Sequence, residues 1–338
     1  MNAKKNNVDT NITDINITDT NIIDTNIIDN YKVIPIKMSF SKSKKHVLNN
    51  YCEEIFVINL ITNKLRRNYI TTLMKKYKVD FTLVLVEPIN EKLYRLLNEN
   101  KKLTKSEIGC TLSHLWCLNK ILKEGYKNAI IFEDDIIFHK KFKELFFKIM
   151  QKQNFDFLLL GACDFSFSTM NYKNVKDDLY RPDPKSIKVY GAHAIYYSQI
   201  GAQKMLEHTN KNIYFFDRNF HPLFQIFPKT SFICYPNLVV SDISTTNLSH
   251  EYPFFSESER FYYSNCFLSF SFRDYQFIYL SIFQNYIHVP FSSNETFESY
   301  YIKLLKFTFK DKLKQEEIKN RTCLNFFNEK DLQLLLLF

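Results

Sequence analysis

The stretch Ala129–Phe138, AIIFEDDIIF, constrains the fold of this chain more than any other. Apolar residues suited to a buried strand run straight into three consecutive carboxylates, and apolar residues resume at once. Ionised carboxylates without partners are strongly disfavoured inside a protein, so the arrangement calls for cationic partners or a metal at a strand end. On an extended chain residues two apart share a face, which sets Glu133 and Asp135 on one side and Asp134 on the other. Two carboxylates on one side can hold a hard divalent cation. With no His or Cys inside the triplet, the donors favour Mn2+ or Mg2+ over Zn2+, and such ions combine one or two protein carboxylates with substrate phosphates. The decapeptide alone fits a metal site that carries a nucleotide diphosphate and a solvated acidic turn equally well.

The flanking chain favours the first reading. EIFVINL from Glu54 and FTLVLVEPI from Phe81 have the β-branched and aromatic composition of buried strands, with a basic helical stretch, Lys64 to Lys78, between them. A helix is expected from Ser106 to Glu124, opened by a Thr104-Lys-Ser-Glu107 capping box and ended by Gly125. Beyond the acidic strand come a helix near Lys141 to Lys152, the strand DFLLLG from Asp156, a polar stretch to about Lys188 read as a loop over a cleft, the strand VYGAHAIYYS (Val189 to Ser198), the helix QIGAQKMLEH and the strand ICYPNLVV. Strands alternating with helices at this spacing predict a mostly parallel α/β sheet covered on both faces. Open sheets of this kind bind ligands at the carboxyl ends of their strands, where the acidic triplet falls.

The organisation expected is a low-complexity tail and linker over 1–50, a catalytic domain over 51–250 and a helical C-terminal extension over 251–338. In the tail a five-residue unit repeats as DTNIT, DINIT, DTNII, DTNII, with too few side-chain types to build a core. A net charge of +9 is spread along the chain without a long basic block, which argues for a solvated lysine surface and against nucleic acid as the partner. Seven cysteines without framework spacing, no apolar run of membrane-spanning length and no signal-peptide pattern lead to the expectation of a cytoplasmic protein with reduced thiols.

Several segments taken together resemble glycosyltransferase family 25, the lipopolysaccharide and procollagen galactosyltransferase group: VINL with Arg66 and Arg67, EIGCTLSHLWCL from Glu107, the FEDD strand, DFLLLG, GAHAIYYS, the Asp217 segment and PNLVVSDIS. They follow the family's order over about residues 54 to 245. The resemblance implies a GT-A-type, Rossmann-like fold in which Glu133, Asp134 and Asp135 hold Mn2+ (or Mg2+) against a UDP-sugar. It implies transfer of a hexose, galactose or glucose, to a hydroxyl of a glycan or a hydroxylysine-type protein acceptor.

On that reading Asp217 is a base for the acceptor hydroxyl, with Asp242 a second candidate as base or further metal ligand. Donor-binding roles fall to Asn59, Arg66, Arg67, Glu107, His114 and Gly191. Glu107, Cys110, His114 and Cys117 share one side of a helix, but Glu107 is accounted for as a capping residue, so zinc is not favoured there. Members commonly read NLDR where this chain has Asn59-Leu60-Ile61-Thr62, which motivates a second reading, a catalytically silent relative that binds glycans or partner proteins.

Overall fold

The structure, a computed structural model, describes residues 28, 31–40, 46–98, 103–139, 141–164, 175–182, 189–211, 215–234 and 237–241. The C-terminal extension, most of the repeat tail and Asp242 lie outside the described residues.

The strands in chain order are β1 (Val33–Met38), β2 (Glu54–Leu60), β3 (Phe81–Val86), β4 (Asn128–Glu133), β5 (Ile136–Phe138), β6 (Phe157–Leu159), β7 (Cys163–Asp164), β8 (Val175–Lys176), β9 (Leu179–Tyr180), β10 (Val189–Tyr190), β11 (Ala194–Ser198), β12 (Ser231–Cys234) and β13 (Val239–Ser241). The helices are α1 (Val47–Tyr51), α2 (Lys64–Tyr77), α3 (Glu91–Leu97), α4 (Lys105–Glu124), α5 (Phe142–Met150), α6 (Gln199–Lys211) and α7 (Phe220–Ile226), with a 3-10 turn at Phe216–Asn219 leading into α7.

A nine-stranded sheet runs in the order β1-β3-β2-β4-β11-β6-β12-β9-β8. β2 is parallel to β3 and β4, and β6 is parallel to β12. β11 lies antiparallel between β4 and β6, so the main strands on either side of it run the same way. The sheet is therefore mixed: β2, β3, β4, β6 and β12 run one way, with the central strand β11 reversed between them, in an α/β arrangement as the sequence pattern predicts.

Side-chain alternation along these strands feeds two cores. Ile55, Val57, Leu83 and Ile130 face a cluster that includes Ile70 and Leu73 of α2 and Phe146 of α5. Phe56, Val84 and Ile131 face the opposite cluster, with Leu115 of α4, Met205 of α6 and Leu223 of α7. A strand buried on both faces has to be apolar throughout, which is why β3 and β4 read as continuous apolar runs.

The helix boundaries follow local chemistry. In α4 the Thr104 side chain accepts from the Glu107 N–H, while the Glu107 carboxylate accepts from the Thr104 N–H at 2.7 Å. At the other end Gly125 adopts φ +72°, a left-handed turn that glycine enters without a Cβ penalty. Asn63 caps α2 by accepting from the Arg66 N–H, and this fixes where the helix starts relative to the end of β2.

Three features differ from the sequence expectation. The sheet extends upstream of Glu54, because Val33–Met38, inside the stretch read as tail and linker, pairs antiparallel with β3 as an edge strand. Its pattern is mostly exposed and includes Pro35 and Lys37, so it lacks the apolar signal of a buried strand. Part of the polar stretch after Gly161 is a hairpin, β8 and β9, turned by Asp177 and Asp178 at positive φ and joined to β12. The single strand expected over Val189–Ser198 is broken at Gly191, which adopts φ +99°. Among the described residues no helix is long and apolar enough to cross a membrane.

Candidate active site

The carboxyl ends of β2, β3 and β4 lie along one edge of the sheet and open into a cleft of about 840 Å3. Its wall includes Leu60, Val86 and Glu133 from those strand ends and Asp217 from the far side. This is where an open α/β sheet places its ligand.

β4 ends at Glu133 and the chain turns at Asp134 and Asp135 before β5 begins. The strict two-residue alternation assumed from the sequence therefore stops at Glu133, because a turn replaces the extended backbone that produces it. All three carboxylates reach the cleft, but their partners differ.

Asp134 and Asp135 converge on Arg66, a buried residue of α2. Arg66 Nη1 lies 3.0 Å from Asp134 Oδ1, and Nη2 lies 3.3 Å from Asp135 Oδ2. Asn59, near the end of β2, donates to Asp134 Oδ2 at 2.6 Å. Ser241 of β13 hydrogen-bonds to Asp135, and the register of β13 against β5, Ser241 opposite Ile136, brings it there. Burial raises the pKa of both aspartates despite the guanidinium; that of Asp135 is pushed up to about 7. Asp135 Oδ1 is buried without a hydrogen-bond partner.

Glu133 faces the other way, towards α4. His114 Nε2 lies 3.2 Å from Glu133 Oε1, and the Cys110 thiol donates to the same oxygen at 3.6 Å. Burial acts to raise the Glu133 carboxyl, but the hydrogen bond and charge of His114, with His193 and Arg66 behind them, hold it below the usual range. The Glu133 N–H also donates to the His193 carbonyl, which ties the end of β4 to the residue before β11.

His114 stacks on Phe216, with ring centroids 4.3 Å apart and planes 18° from parallel. That contact anchors the 3-10 turn carrying Asp217 against α4. Asp217 Oδ2 accepts from the Gly191 N–H at 3.1 Å, and the positive φ of Gly191 is the reason β10 and β11 are separate strands. Burial raises the Asp217 pKa, with the Gly191 N–H opposing it and the charge of Glu133 adding to it.

The sequence-derived candidates thus divide. Glu133, Asp134, Asp135, Arg66, His114, Gly191, Glu107 and Asp217 all line one cleft. Asn59 acts on it through Asp134. Arg67 does not line it: its guanidinium donates to the Ile61 carbonyl at 3.4 Å. Cys110, seen in the sequence only as part of a helix side where zinc is not favoured, lies against Glu133; His193 and Ser241 carry no signal of their own because their importance depends on which elements pack together, although Ser241 stands directly before Asp242 in the PNLVVSDIS segment.

Residues 52–219 match the profile of "Glycosyltransferase family 25 (LPS biosynthesis protein)". The chain belongs to this family. Procollagen galactosyltransferase 2 of Mus musculus is 29% identical over 115 residues, 29% of this chain and 18% of that protein. Procollagen galactosyltransferase 1 of Danio rerio is 27% identical over 114 residues, 30% of this chain and 19% of that protein. An inactive glycosyltransferase 25 family member 3 of Mus musculus is 34% identical over 64 residues, 18% of this chain and 11% of that protein. The match to procollagen galactosyltransferase 2 thus covers less than a fifth of that protein's length.

Proposed function

We propose that the chain is a metal-dependent hexosyltransferase with a GT-A-type site, moving galactose or glucose from a UDP-sugar to a hydroxyl of a glycan or hydroxylysine-type acceptor. The observation that carries this reading is the group of three carboxylates at the carboxyl end of β4, opposed by a single buried guanidinium.

The residues fit a hard divalent ion. When all are ionised, three carboxylates against Arg66 leave an excess of two negative charges, all donor atoms of the triplet are oxygens, and Asp135 Oδ1 has no hydrogen-bond partner. Asp134 and Asp135, with Glu133 turning in from its α4 partners, would hold Mn2+, or Mg2+, which would neutralise charge on the departing nucleoside diphosphate. Arg66 is assigned to positioning, since it holds Asp134 and Asp135 in place and adds positive charge beneath them. Asp217, kept in place by the Gly191 N–H, accepts the proton of the acceptor hydroxyl, and its raised pKa makes it a stronger base than an exposed aspartate.

A second reading, a silent relative that binds glycans or partner proteins, draws support from the inactive family member and from the Ile61-Thr62 departure in the first strand segment. UDP release from a panel of UDP-sugars, measured with Mn2+ and with EDTA, separates the two. Metal-dependent turnover with one sugar is expected; absence of both turnover and UDP binding would favour the silent relative.

A further inference from the structure

The wall of the cleft formed by α4 carries a second cluster of metal-ligating atoms, distinct in chemistry from the all-oxygen group. Cys110 and His114 are four apart on α4 and so project from the same side of the helix. The end of β4 adds Glu133. One ligand atom from each, Cys110 Sγ, His114 Nε2 and Glu133 Oε1, lies within 4.8 Å of the others. Glu107, the carboxylate that helical spacing alone would add to the set, is occupied at the helix cap instead.

The two separations to Glu133 suit a small tetrahedral ion, and the third, sulfur to imidazole nitrogen, lies within 4.8 Å. Bonds of about 2.3 Å to sulfur, 2.0–2.1 Å to nitrogen and 2.0–2.2 Å to oxygen put neighbouring donors roughly 3.3–3.6 Å apart. The observed S···O and N···O separations are 3.6 and 3.2 Å. All three residues line the cleft, which leaves the fourth position open to solvent. Three protein ligands with one open position is the pattern of exchangeable zinc sites, and thiolate with imidazole selects Zn2+ over the hard ions that an all-oxygen group prefers.

We propose that Cys110, His114 and Glu133 form a Zn2+ site beside the all-oxygen group, sharing Glu133 with it, so that a borderline-soft ion draws this carboxylate away from the hard-metal position. On binding, the Cys110 thiol proton leaves to solvent and the sulfur lone pair takes its place on the metal. Zn2+ binding itself requires no transferase activity and is tested apart from it; the competition for Glu133 rests on the function proposed above.

The test uses the full metal-stripped chain with Co2+ as a spectroscopic stand-in and Zn2+ as competitor. Co2+ is expected to give a thiolate-to-metal charge-transfer band in the near ultraviolet, removed by one equivalent of Zn2+. In Cys110→Ser, checked for folding by circular dichroism, the band should vanish and Zn2+ affinity should fall on the order of a hundredfold or more. Persistence of the band in the folded variant, or its absence in the natural chain, would overturn the proposal. A second measurement needs no variant: Zn2+ should slow alkylation of Cys110, read by peptide mass mapping, while Mn2+ should not. An alkylation rate at Cys110 that Zn2+ leaves unchanged would equally overturn it.

Discussion

Asp134 and Asp135 after β4 and Asp217 in the 3-10 turn are buried or half-buried aspartates with raised pKa values, yet they are held by different means. The pair after β4 leans on a buried guanidinium, an Asn amide and a Ser hydroxyl. Asp217 is held by the backbone N–H groups of Gly191 and Arg218, the first where positive φ breaks the strand. Burial leaves both kinds more basic than an exposed aspartate; the difference lies in the partners, a guanidinium in contact with the pair after β4 and a backbone N–H at Asp217. Cation holding is therefore assigned to the pair and proton acceptance to Asp217.

The largest effect should come from Asp217. Asp217→Asn keeps the shape and an acceptor oxygen for Gly191 but removes the basic oxygen, so turnover should fall on the order of 10^2 to 10^4-fold with donor affinity little changed. Steady-state kinetics alongside a UDP-binding titration checks this, and equal losses in both would assign Asp217 to binding instead. At the pair after β4, Arg66→Met leaves two buried aspartates without their cation and should cost about 3–5 kcal/mol of stability, as expected when one member of a buried ion pair is removed. In a chain of this size that is a melting-temperature drop on the order of 10 °C. Thermal denaturation with and without Mn2+ sharpens the contrast, because a divalent cation should restore part of the loss.

A smaller effect concerns pH. Asp135 titrates near 3.8 in the unfolded chain and at about 7 in the fold, so the folded state binds more protons between those values. Its contribution to stability is then fully present below about pH 4 and is lost as pH rises towards 7. The metal-free natural chain should lose stability over that window relative to Asp135→Asn, which cannot titrate. Parallel denaturation curves for the two proteins across the window would show that Asp135 is not proton-coupled to folding.

Much of this site was legible in the sequence because its parts are local. The continuous apolar run of β4 marks a strand buried on both faces, the Thr104–Glu107 box marks the start of α4, and the triplet declares its charge. What escaped depends on tertiary pairing. No spacing rule places Arg66, Asn59 or Ser241 against the triplet, because α2, β2 and β13 meet it only once the sheet is assembled. The turn at Asp134 and Asp135 was hidden by the apolar residues that resume at Ile136, which make the whole decapeptide read as one strand. β1 was hidden for the opposite reason, since an exposed edge strand carries no apolar signature.

The central claim is that the carboxylates after β4 carry a metal-dependent transfer. It is tested most directly by metal-dependent UDP release from Glu133→Ala/Asp135→Ala compared with the natural chain, using a UDP-sugar that the natural chain turns over and confirming the variant's fold by circular dichroism. The account expects turnover to fall by a factor on the order of 10^3 or more in a folded protein. Undiminished metal-dependent turnover in the folded variant would contradict it.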